Sequence, residues 1–317
     1  ANPGTLTQPF RTLKKGVSVL QPGDALRVRA GIYDESLIYK IPGGTSWTQP
    51  VTVAAYPGET VTLRPNATEP AWPSGTPFVL GFRGSGDQYI IIDGLILDGV
   101  NVQHQVIKIQ GNATDGWAHH IRIQNSEVKN GHAAGILVST GDNGSTIAGT
   151  ACCNEFINLH VHDNGTTDFN QGFYITSSRN LIERCTIHHN QGAGISIWKQ
   201  PTPEQPAPVT DFNIIRYNRI FSNGTSGTRG PGMNITQGRG TIAHSNVIYD
   251  NLGGIYVRYR ATNAKVYNNT VYHNQGPGIS VNQEQGGTLN AMIKNNIAVG
   301  NTGPQLFNDG IGTIFAD

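Results

Sequence analysis

Short stretches of alternating hydrophobic and polar residues recur along the second half of the chain, separated by Asn and Gly. A first repeated phrase consists of a polar residue, any residue, Val or Ile, any two residues and Asn. It occurs at 185–190, 218–223, 246–251 and 269–274, with variants at 159–164 and 296–301. Most copies are followed by a second phrase, which consists of Gly, a hydrophobic residue, any residue and another hydrophobic residue. This second phrase occurs at 172–175, 194–197, 232–235, 254–257 and 278–281. Repeats of about 23 to 33 residues with such short strands predict an all-β solenoid of stacked coils.

The asparagines of the first phrase are predicted to be structural. Its first position carries Asn at 218, 246, 269 and 296, and its last position carries Asn at 223, 251 and 274. We expect the first set to turn inward and form a hydrogen-bonded ladder that satisfies buried backbone groups at the turns. The second set is expected to occupy another corner of each coil.

The N-terminal part of the chain predicts a cap for the solenoid. Residues 7–20 read as one amphipathic helix with Thr7 as its N-cap and Pro9 in its first turn. Its apolar face would carry Phe10, Leu13, Val17 and Leu20. Because a solenoid needs its open hydrophobic end covered, we interpret this helix as a cap.

We expect the rest of the chain to continue as one domain that spans residues 1–317. Irregular coils are predicted over 24–88, with strands near 25–30 and 51–55, where hydrophobic and polar residues alternate. Regular coils are predicted over 89–317, and each of these coils should carry three short strands.

Composition narrows the class of protein. Forty Gly and only 14% charged residues disfavour a helical protein, and a net charge of +1 gives no overall field to attract nucleic acid or a membrane surface. No apolar run approaches the roughly 18 residues of a membrane span. Because the sequence starts at Ala1 without an initiator Met, we expect a secreted protein, extracellular or periplasmic, from which a signal has been removed. We expect it to be a monomer.

The three cysteines admit two interpretations, and their spacing matches no zinc pattern. One is a disulfide between Cys185 and either Cys152 or Cys153 on the adjacent coil. The other is three buried free thiols. Cys185 favours the second, because it stands where neighbouring coils carry an inward Asn.

The first coils resemble a known family. The residues that carry the resemblance are Gly23-Asp24, Val28, Gly31-Ile32-Tyr33, Glu35, Gly44-Thr45, Pro50–Val53 and Ala55–Glu59. This stretch resembles the N-terminal coils of secreted right-handed parallel β-helix proteins of the polysaccharide lyase type, which include alginate lyases, chondroitinase B-like lyases and pectate lyases. The resemblance implies a right-handed parallel β-helix and does not specify a substrate.

A candidate binding face follows from the strand in the second phrase. The residue between its two hydrophobic positions, and the residue after the second, should point outward because side chains alternate along a strand. Long loops at 140–152, 165–171, 199–210 and 224–231 flank this strand and predict the walls of a cleft. The substrate-binding candidates on or beside this face are Lys108, His132, Tyr174, Trp198, Asn234, Gln237, Asn282 and Glu284.

The residue types on this face suit an acidic polysaccharide. Exposed Tyr and Trp can stack on sugar rings, and Lys199, Arg258 and Arg260 can bind carboxylates or sulfates. Simpler interpretations remain. Trp198 would pack under the Pro-rich loop, the arginines would pair with Glu284, and histidines such as His132 and His188 would be polar turn residues.

The resemblance implies a reaction, β-elimination, in which a Lys base works beside an Arg while calcium grips the substrate carboxylate. On this chain Lys199 would be the base, Arg258 or Arg260 would neutralise the carboxylate, and Tyr256 or Tyr174 would donate the proton. Calcium is a candidate cofactor, although the acidic residues do not cluster in sequence. The nearest candidate ligands are Asp163 and Asp168, with Glu155.

Two other functions remain open. A glycoside hydrolase needs two carboxylates about 5 to 9 Å apart, and the outward strand positions carry no Asp or Glu before Glu284. A non-catalytic β-helix would use the same aromatic and amide side chains only to grip a glycan.

Overall fold

The computed structural model describes residues 2–67, 77–112, 114–139, 151–198, 210–224, 227, 230–284 and 287–316. These residues form a parallel β-helix in which each coil contributes one short strand to each of three parallel sheets. The predicted all-β solenoid is therefore confirmed.

Sheet A begins at the first coil and runs the length of the described solenoid. Its strands are β1 (Ala25–Val28), β4 (Val51–Ala55), β7 (Gln88–Asp93), β11 (His119–Gln124), β14 (Glu155–Ile157), β17 (Leu181–Glu183), β20 (Ile214–Arg216), β23 (Ile242–His244), β26 (Lys265–Tyr267), β29 (Met292–Lys294) and β32 (Ile314–Ala316).

Sheet B follows sheet A within each coil and carries the first repeated phrase. Its strands are β2 (Gly31–Tyr33), β5 (Val61–Leu63), β8 (Ile96–Asp98), β12 (Glu127–Lys129), β15 (His160–His162), β18 (Thr186–His188), β21 (Arg219–Phe221), β24 (Val247–Tyr249), β27 (Thr270–Tyr272) and β30 (Ile297–Val299).

Sheet C carries the second phrase and completes the coil. A short strand, β10 (Gly116–Trp117), pairs antiparallel with β9. The strands of sheet C are β3 (Leu37–Ile38), β6 (Leu80–Arg83), β9 (Ile107–Asn112), β13 (Ile136–Val138), β16 (Phe173–Ile175), β19 (Ile195–Ile197), β22 (Pro231–Thr236), β25 (Gly253–Arg258), β28 (Ile279–Val281) and β31 (Leu306–Asn308).

The core is built from β-branched residues stacked in register. In sheet B, Ile187 pairs with Ile220, Ile220 with Ile248, and Ile248 with Val271, and all four side chains are fully buried. Each buried side chain of this kind contributes about 1.5–3 kcal/mol relative to an exposed one. A slip of one residue would turn the whole row outward, so the hydrophobic pattern sets the register.

The predicted asparagine ladders are confirmed. Asn218, Asn246, Asn269 and Asn296 are linked in order, each Nδ2 donating to the Oδ1 of the next coil at 2.9 Å. The second ladder is longer than expected and runs through Asn164, Asn190, Asn223, Asn251, Asn274 and Asn301. A third ladder, which the sequence did not suggest, joins Asn154, Asn180 and Asn213.

The capping helix is shorter than predicted. Helix α1 spans only Leu13–Val17, and its N-cap is Thr12 rather than Thr7. The carboxylate of Glu35 accepts hydrogen bonds from the backbone N–H groups of Leu13 (2.8 Å) and Lys14 (3.0 Å). These contacts fix the start of the helix from outside it, which a local pattern cannot reveal.

The helix does cover the hydrophobic end, as expected. Leu13 and Val17, with Leu20 just beyond the helix, are buried and belong to the main core. In the described part of the chain, no helix has the length and apolar character needed to cross a membrane.

The cysteines differ from both interpretations. Cys152 and Cys153, adjacent in the sequence, form a disulfide with each other, and Cys185 is a buried free thiol. The backbone N–H of Cys185 donates to Asn218 Oδ1 at 2.9 Å, so this residue occupies the first position of the ladder beside Asn218. It ends that ladder because a thiol cannot relay the amide pattern.

Candidate functional site

The middle residues of the sheet C strands form one continuous stripe, in which Ser196 and Ser280 are themselves buried. The middle residues of successive strands are paired in register in the order Lys108, Leu137, Tyr174, Ser196, Asn234, Tyr256, Ser280 and Phe307. Trp198 comes two residues after Ser196, and Arg258 comes two after Tyr256, so both belong to a parallel row on the same face. Of the aromatic and basic candidates, Tyr174, Trp198, Tyr256, Arg258 and Lys108 therefore share one side of sheet C.

Two aromatic side chains lie together at the centre of this stripe. The rings of Tyr174 and Trp198, on adjacent coils, are near parallel with centroids 6.5 Å apart and planes 22° apart. Both side chains are partly buried and partly open to solvent. Burial raises the pKa of the Tyr174 phenol to about 12, so this hydroxyl stays protonated at neutral pH.

Arg258 is held in place by its neighbours on the stripe. Its Nε donates to Asn234 Oδ1 at 3.1 Å, and its guanidinium lies 5.3 Å from the ring centroid of Tyr256 and 4.8 Å from that of Tyr259. Its Nη1 lies 3.5 Å from Glu284 Oε2, and the Glu284 side chain is 46% exposed. A long, exposed pair of this kind is weak, so another carboxylate can compete for the guanidinium.

Tyr256 leans back over the start of its own strand. The positions that side chains would take at Gly253 and Gly276 lie 2.3 Å and 2.9 Å from the Tyr256 hydroxyl, so glycine is needed at both for the phenol to fit. Burial raises the pKa of Tyr256, Arg258 lowers it and Glu284 raises it, for a net increase. The phenol is thus protonated at neutral pH, as a proton donor must be.

A short polar chain lies beside Arg258 on this stripe. Ser280 donates to Asn282 Oδ1, and Asn282 Nδ2 lies 3.5 Å from Glu284 Oε1. Glu284 thereby links Asn282 to Arg258.

Part of the predicted outward row is buried instead. The hydroxyls of Thr176 and Thr236 donate to backbone carbonyls of the preceding coil, at Val138 and Ile197, and both residues are buried. Gln237 is only 4% exposed, and its buried Oε1 has no hydrogen-bond partner. It offers almost no surface to a polymer, and its assignment as a binding residue stays a prediction. A polar side chain at the end of a strand can hydrogen-bond to the backbone of the adjacent coil, and the alternation of side chains along a strand does not predict such a bond.

A second basic region lies at the N-terminal end of the stripe. The Lys108 ammonium is 5.3 Å from the Phe78 ring centroid, and His132 is exposed nearby. Burial, and then the charges of Lys108 and His132, lower the pKa of His104. Lys108 and Tyr256 are separated by five strand steps, or about 24 Å.

Several predicted features lie outside the described residues. Lys199, the predicted base, directly follows Trp198 in the sequence and is not described. The same holds for parts of the predicted cleft walls, namely residues 140–150, 200–209, 225, 226, 228 and 229. Arg260 is exposed in the turn after β25, with a left-handed backbone at φ 66°. The structure therefore brings together Tyr174, Trp198, Asn234, Tyr256, Arg258, Asn282 and Glu284.

The acidic candidates for calcium do not gather into a site. Asp163 contacts the His162 ring at 2.7 Å, and Glu155 pairs with Arg122 at 2.6 Å. Among the described residues, no group of three ligand-type side chains includes Asp168 or Glu155. These residues do not form the set of clustered oxygen ligands that calcium takes.

Sheet B carries a histidine cluster that was not predicted from the sequence. His160, His162 and His188 point outward together, and a repeated aromatic at the third strand position was the signal, because Phe221, Tyr249 and Tyr272 occupy that position in later coils. Burial, followed by the charges of His160 and His162, lowers the pKa of His188 to about 4.

Comparison with known proteins places the fold in a family. The profile of the family described as "Right handed beta helix region" matches residues 86–229 and 145–316, which together cover most of the chain. The chain belongs to the right-handed β-helix family. The predicted handedness and the resemblance to β-helix polysaccharide lyases are thereby confirmed at the level of fold.

Individual proteins with similar sequences or structures support the same fold. The uncharacterized protein YwoF of Bacillus subtilis is 24% identical over 93% of the chain, which spans 65% of YwoF. ORF18 of Geobacillus virus E2 has a TM-score of 0.65 and 14% identity over 93% of this chain and 54% of its own. An alginate lyase from Paenibacillus sp. FPU-7 has a TM-score of 0.61 and 18% identity over 94% of this chain and 95% of its own.

Proposed function

We propose that this chain is a secreted carbohydrate-active β-helix protein that cleaves an acidic, uronate-containing polysaccharide by β-elimination. The observation that carries the proposal is the shared stripe of Tyr174, Trp198, Tyr256 and Arg258 on sheet C. The structural likeness to an alginate lyase over nearly the full length of both chains supports the choice of substrate class.

The aromatic pair would bind sugar rings. Tyr174 and Trp198 present partly exposed rings on adjacent coils, and apolar faces of pyranose rings stack on such side chains. Coils repeat about every 4.8 Å, so a polymer lying along the stripe would contact several coils at once. The basic residues on either side of this pair, Lys108 and Arg258, would engage carboxylates further along the polymer.

The reaction would be centred near Arg258. The carboxylate of the sugar displaces Glu284 from the guanidinium, and the neutralised group makes the C5 proton more acidic. Lys199 takes that proton as base, the C4–O bond breaks, and the protonated phenol of Tyr256 gives its proton to the leaving oxygen. The product carries a C4–C5 double bond conjugated to the carboxylate.

The class of reaction is tested by a substrate panel with two readouts. Alginate, pectate, glycosaminoglycans and neutral glycans are incubated with the protein, and ultraviolet absorbance and reducing ends are both followed. We expect both signals to rise together on a uronate polymer. Reducing ends without absorbance would mean a hydrolase, and binding without either signal would mean a glycan-binding protein. Either result would overturn the lyase proposal.

Variants on the stripe test the assigned roles. We expect Arg258→Ala and Tyr256→Phe to lower kcat/KM by at least about 100-fold, because each removes an interaction with developing charge. Trp198→Ala should mainly raise KM, since it removes ring stacking. Matched controls on the outer face of sheet B, Arg219→Ala and Tyr272→Phe, should leave turnover unchanged. If Lys199→Ala and Arg258→Ala both keep full turnover, the assignment of residues is wrong.

A further inference from the structure

Three histidines lie side by side on the outer face of sheet B, away from the stripe on sheet C. His160 and His162 are two residues apart on β15 and so point the same way, and His188 on β18 is paired in register with His162. One ring nitrogen of each residue lies within 4.8 Å of the others. The Nε2 atoms of His160 and His188 are 2.6 Å apart.

The remaining ring nitrogens have partners that orient the imidazoles. His162 Nδ1 is 2.7 Å from Asp163 Oδ2, and His188 Nδ1 is 2.6 Å from His189 Nδ1. Both contacts leave Nε2 as the nitrogen that faces the cluster. A carboxylate on the far nitrogen of an imidazole is a common arrangement around metal-binding histidines, because it fixes the tautomer and makes the ligand more basic.

A carboxylate stands beside the cluster. Glu127 on β12 is in register with His160, and its Oε1 is 3.1 Å from His162 Nε2. The Lys129 ammonium is 2.6 Å from the same oxygen and balances part of its charge. Glu127 can therefore serve as a fourth ligand through its carboxylate oxygen or hold a water at that position, and Lys129 offsets part of its negative charge.

From this geometry we propose that His160, His162 and His188 bind one divalent transition-metal ion, of which Zn²⁺ is the expected occupant. Three imidazoles suit Zn²⁺, Cu²⁺ and Ni²⁺, whereas Ca²⁺ takes oxygen ligands. Zn–N distances are about 2.0–2.1 Å, so small rotations of the side chains suffice to bring the three Nε2 atoms around one ion.

The site has an open approach. A groove of about 310 Å³ lies beside His160 and is lined also by Asn125, Glu127, Asn158 and Thr186. Three protein ligands with a fourth position facing solvent are typical of metal sites that bind water or an anion. The groove gives the ion a route in and gives a small anionic ligand a place to bind.

The competing explanation is purely structural. The ring of His188 stacks on Phe221 at 4.8 Å between centroids, and the row continues through Tyr249 and Tyr272 at 5.0 and 4.9 Å. In that view the histidines only extend an aromatic stack. His188→Phe separates the two explanations, because Phe keeps the stack and removes the ligand atom.

The test is a Zn²⁺ titration of the metal-free chain without a polyhistidine tag, by calorimetry, with Co²⁺ absorption as a check on coordination. We expect one ion per chain. His160→Ala and His188→Phe should each weaken binding at least tenfold, and Asp163→Asn about tenfold or more through the orientation of His162.

The matched control is His244→Phe, because His244 stacks on Tyr267 at 5.0 Å on sheet A and has no role in the cluster. This variant should bind Zn²⁺ like the wild type. Circular dichroism confirms that each variant is folded. The proposal is overturned if the wild type does not bind Zn²⁺ saturably, or if His160→Ala and His188→Phe bind Zn²⁺ as tightly as the wild type.

Discussion

At the scale of single residues, rows of buried asparagines line the turns around the hydrophobic core. Each ladder asparagine uses both ends of its amide, and its oxygen also accepts from the backbone N–H of the preceding coil. Asn246 Oδ1, for example, accepts from both the N–H and the Nδ2 of Asn218, and its Nδ2 donates to Ile215 O and to Asn269. These side chains satisfy turn backbone that would otherwise be buried without partners.

Replacing one ladder residue should therefore be costly. Asn246→Ala leaves several buried donors and acceptors without partners, at about 1–3 kcal/mol each, so we expect a loss of about 3 kcal/mol or more in the free energy of unfolding. Urea denaturation measures it. Val247→Ala, at the next residue and 38% exposed, is the control and should change stability little. Equal effects of the two would contradict a ladder that stabilises the fold.

The partly buried carboxyl of Asp87 contributes a pH dependence of definite sign to the stability of the protein. Burial raises the pKa of Asp87 from 3.8 to about 6, and a hydrogen bond from the Arg83 N–H lowers it by less. Between pH 3.8 and about 6 the native state binds more protons at Asp87 than the unfolded state does. The contribution of this group to stability is therefore lost as pH rises toward and through 6.

Asp87→Asn should remove that loss, because the amide oxygen can still accept from Arg83. Relative to the wild type, we expect the variant to gain up to about 3 kcal/mol between pH 3.5 and pH 7. Denaturation at both pH values measures the gain. Glu59→Gln is the control of opposite sign, since a hydrogen bond from Arg29 lowers the pKa of Glu59. A pH-independent difference for Asp87→Asn would refute the assignment.

At the scale of elements, strands and helix were not equally predictable. Strands such as β4 and the sheet C strands follow directly from local alternation, and their register follows from the burial of one face. The helix was predicted too long, because the carboxylate of Glu35 on the first coil sets its start. Likewise, the histidine cluster joins residues 26 or 28 positions apart whose alignment depends on how loops of unequal length close. Local patterns carry no information of that kind.

The link between cap and first coil can be tested at this scale. Glu35→Ala removes acceptors for two helix N–H groups, and we expect a loss of about 1–2 kcal/mol in the local stability of α1. Hydrogen exchange should show faster exchange at Leu13 to Val17, with little change in central coils such as β18 to β24. Uniform acceleration across all coils would mean that the cap does not open on its own.

At the scale of the whole molecule, the fold of the candidate site was predictable and its chemistry only partly so. A regular repeat is enough to place Tyr174, Trp198 and Tyr256 on one face. It could not show that Tyr259 supports Arg258 from a turn, or that Thr236 and Gln237 fold inward. Each of these contacts depends on which neighbouring residue or backbone group a side chain reaches. The sequence pattern alone does not show which of several possible partners that will be.

The coil is also a unit of length. Asn246 and Asn269 are equivalent positions 23 residues apart, so one whole turn could be removed or added there without altering the pairing rules on either side. Each such change would shorten or extend the outer track by about 4.8 Å. The number of coils therefore sets the length of the outer face, so a protein of this fold with more coils can contact a longer stretch of polymer.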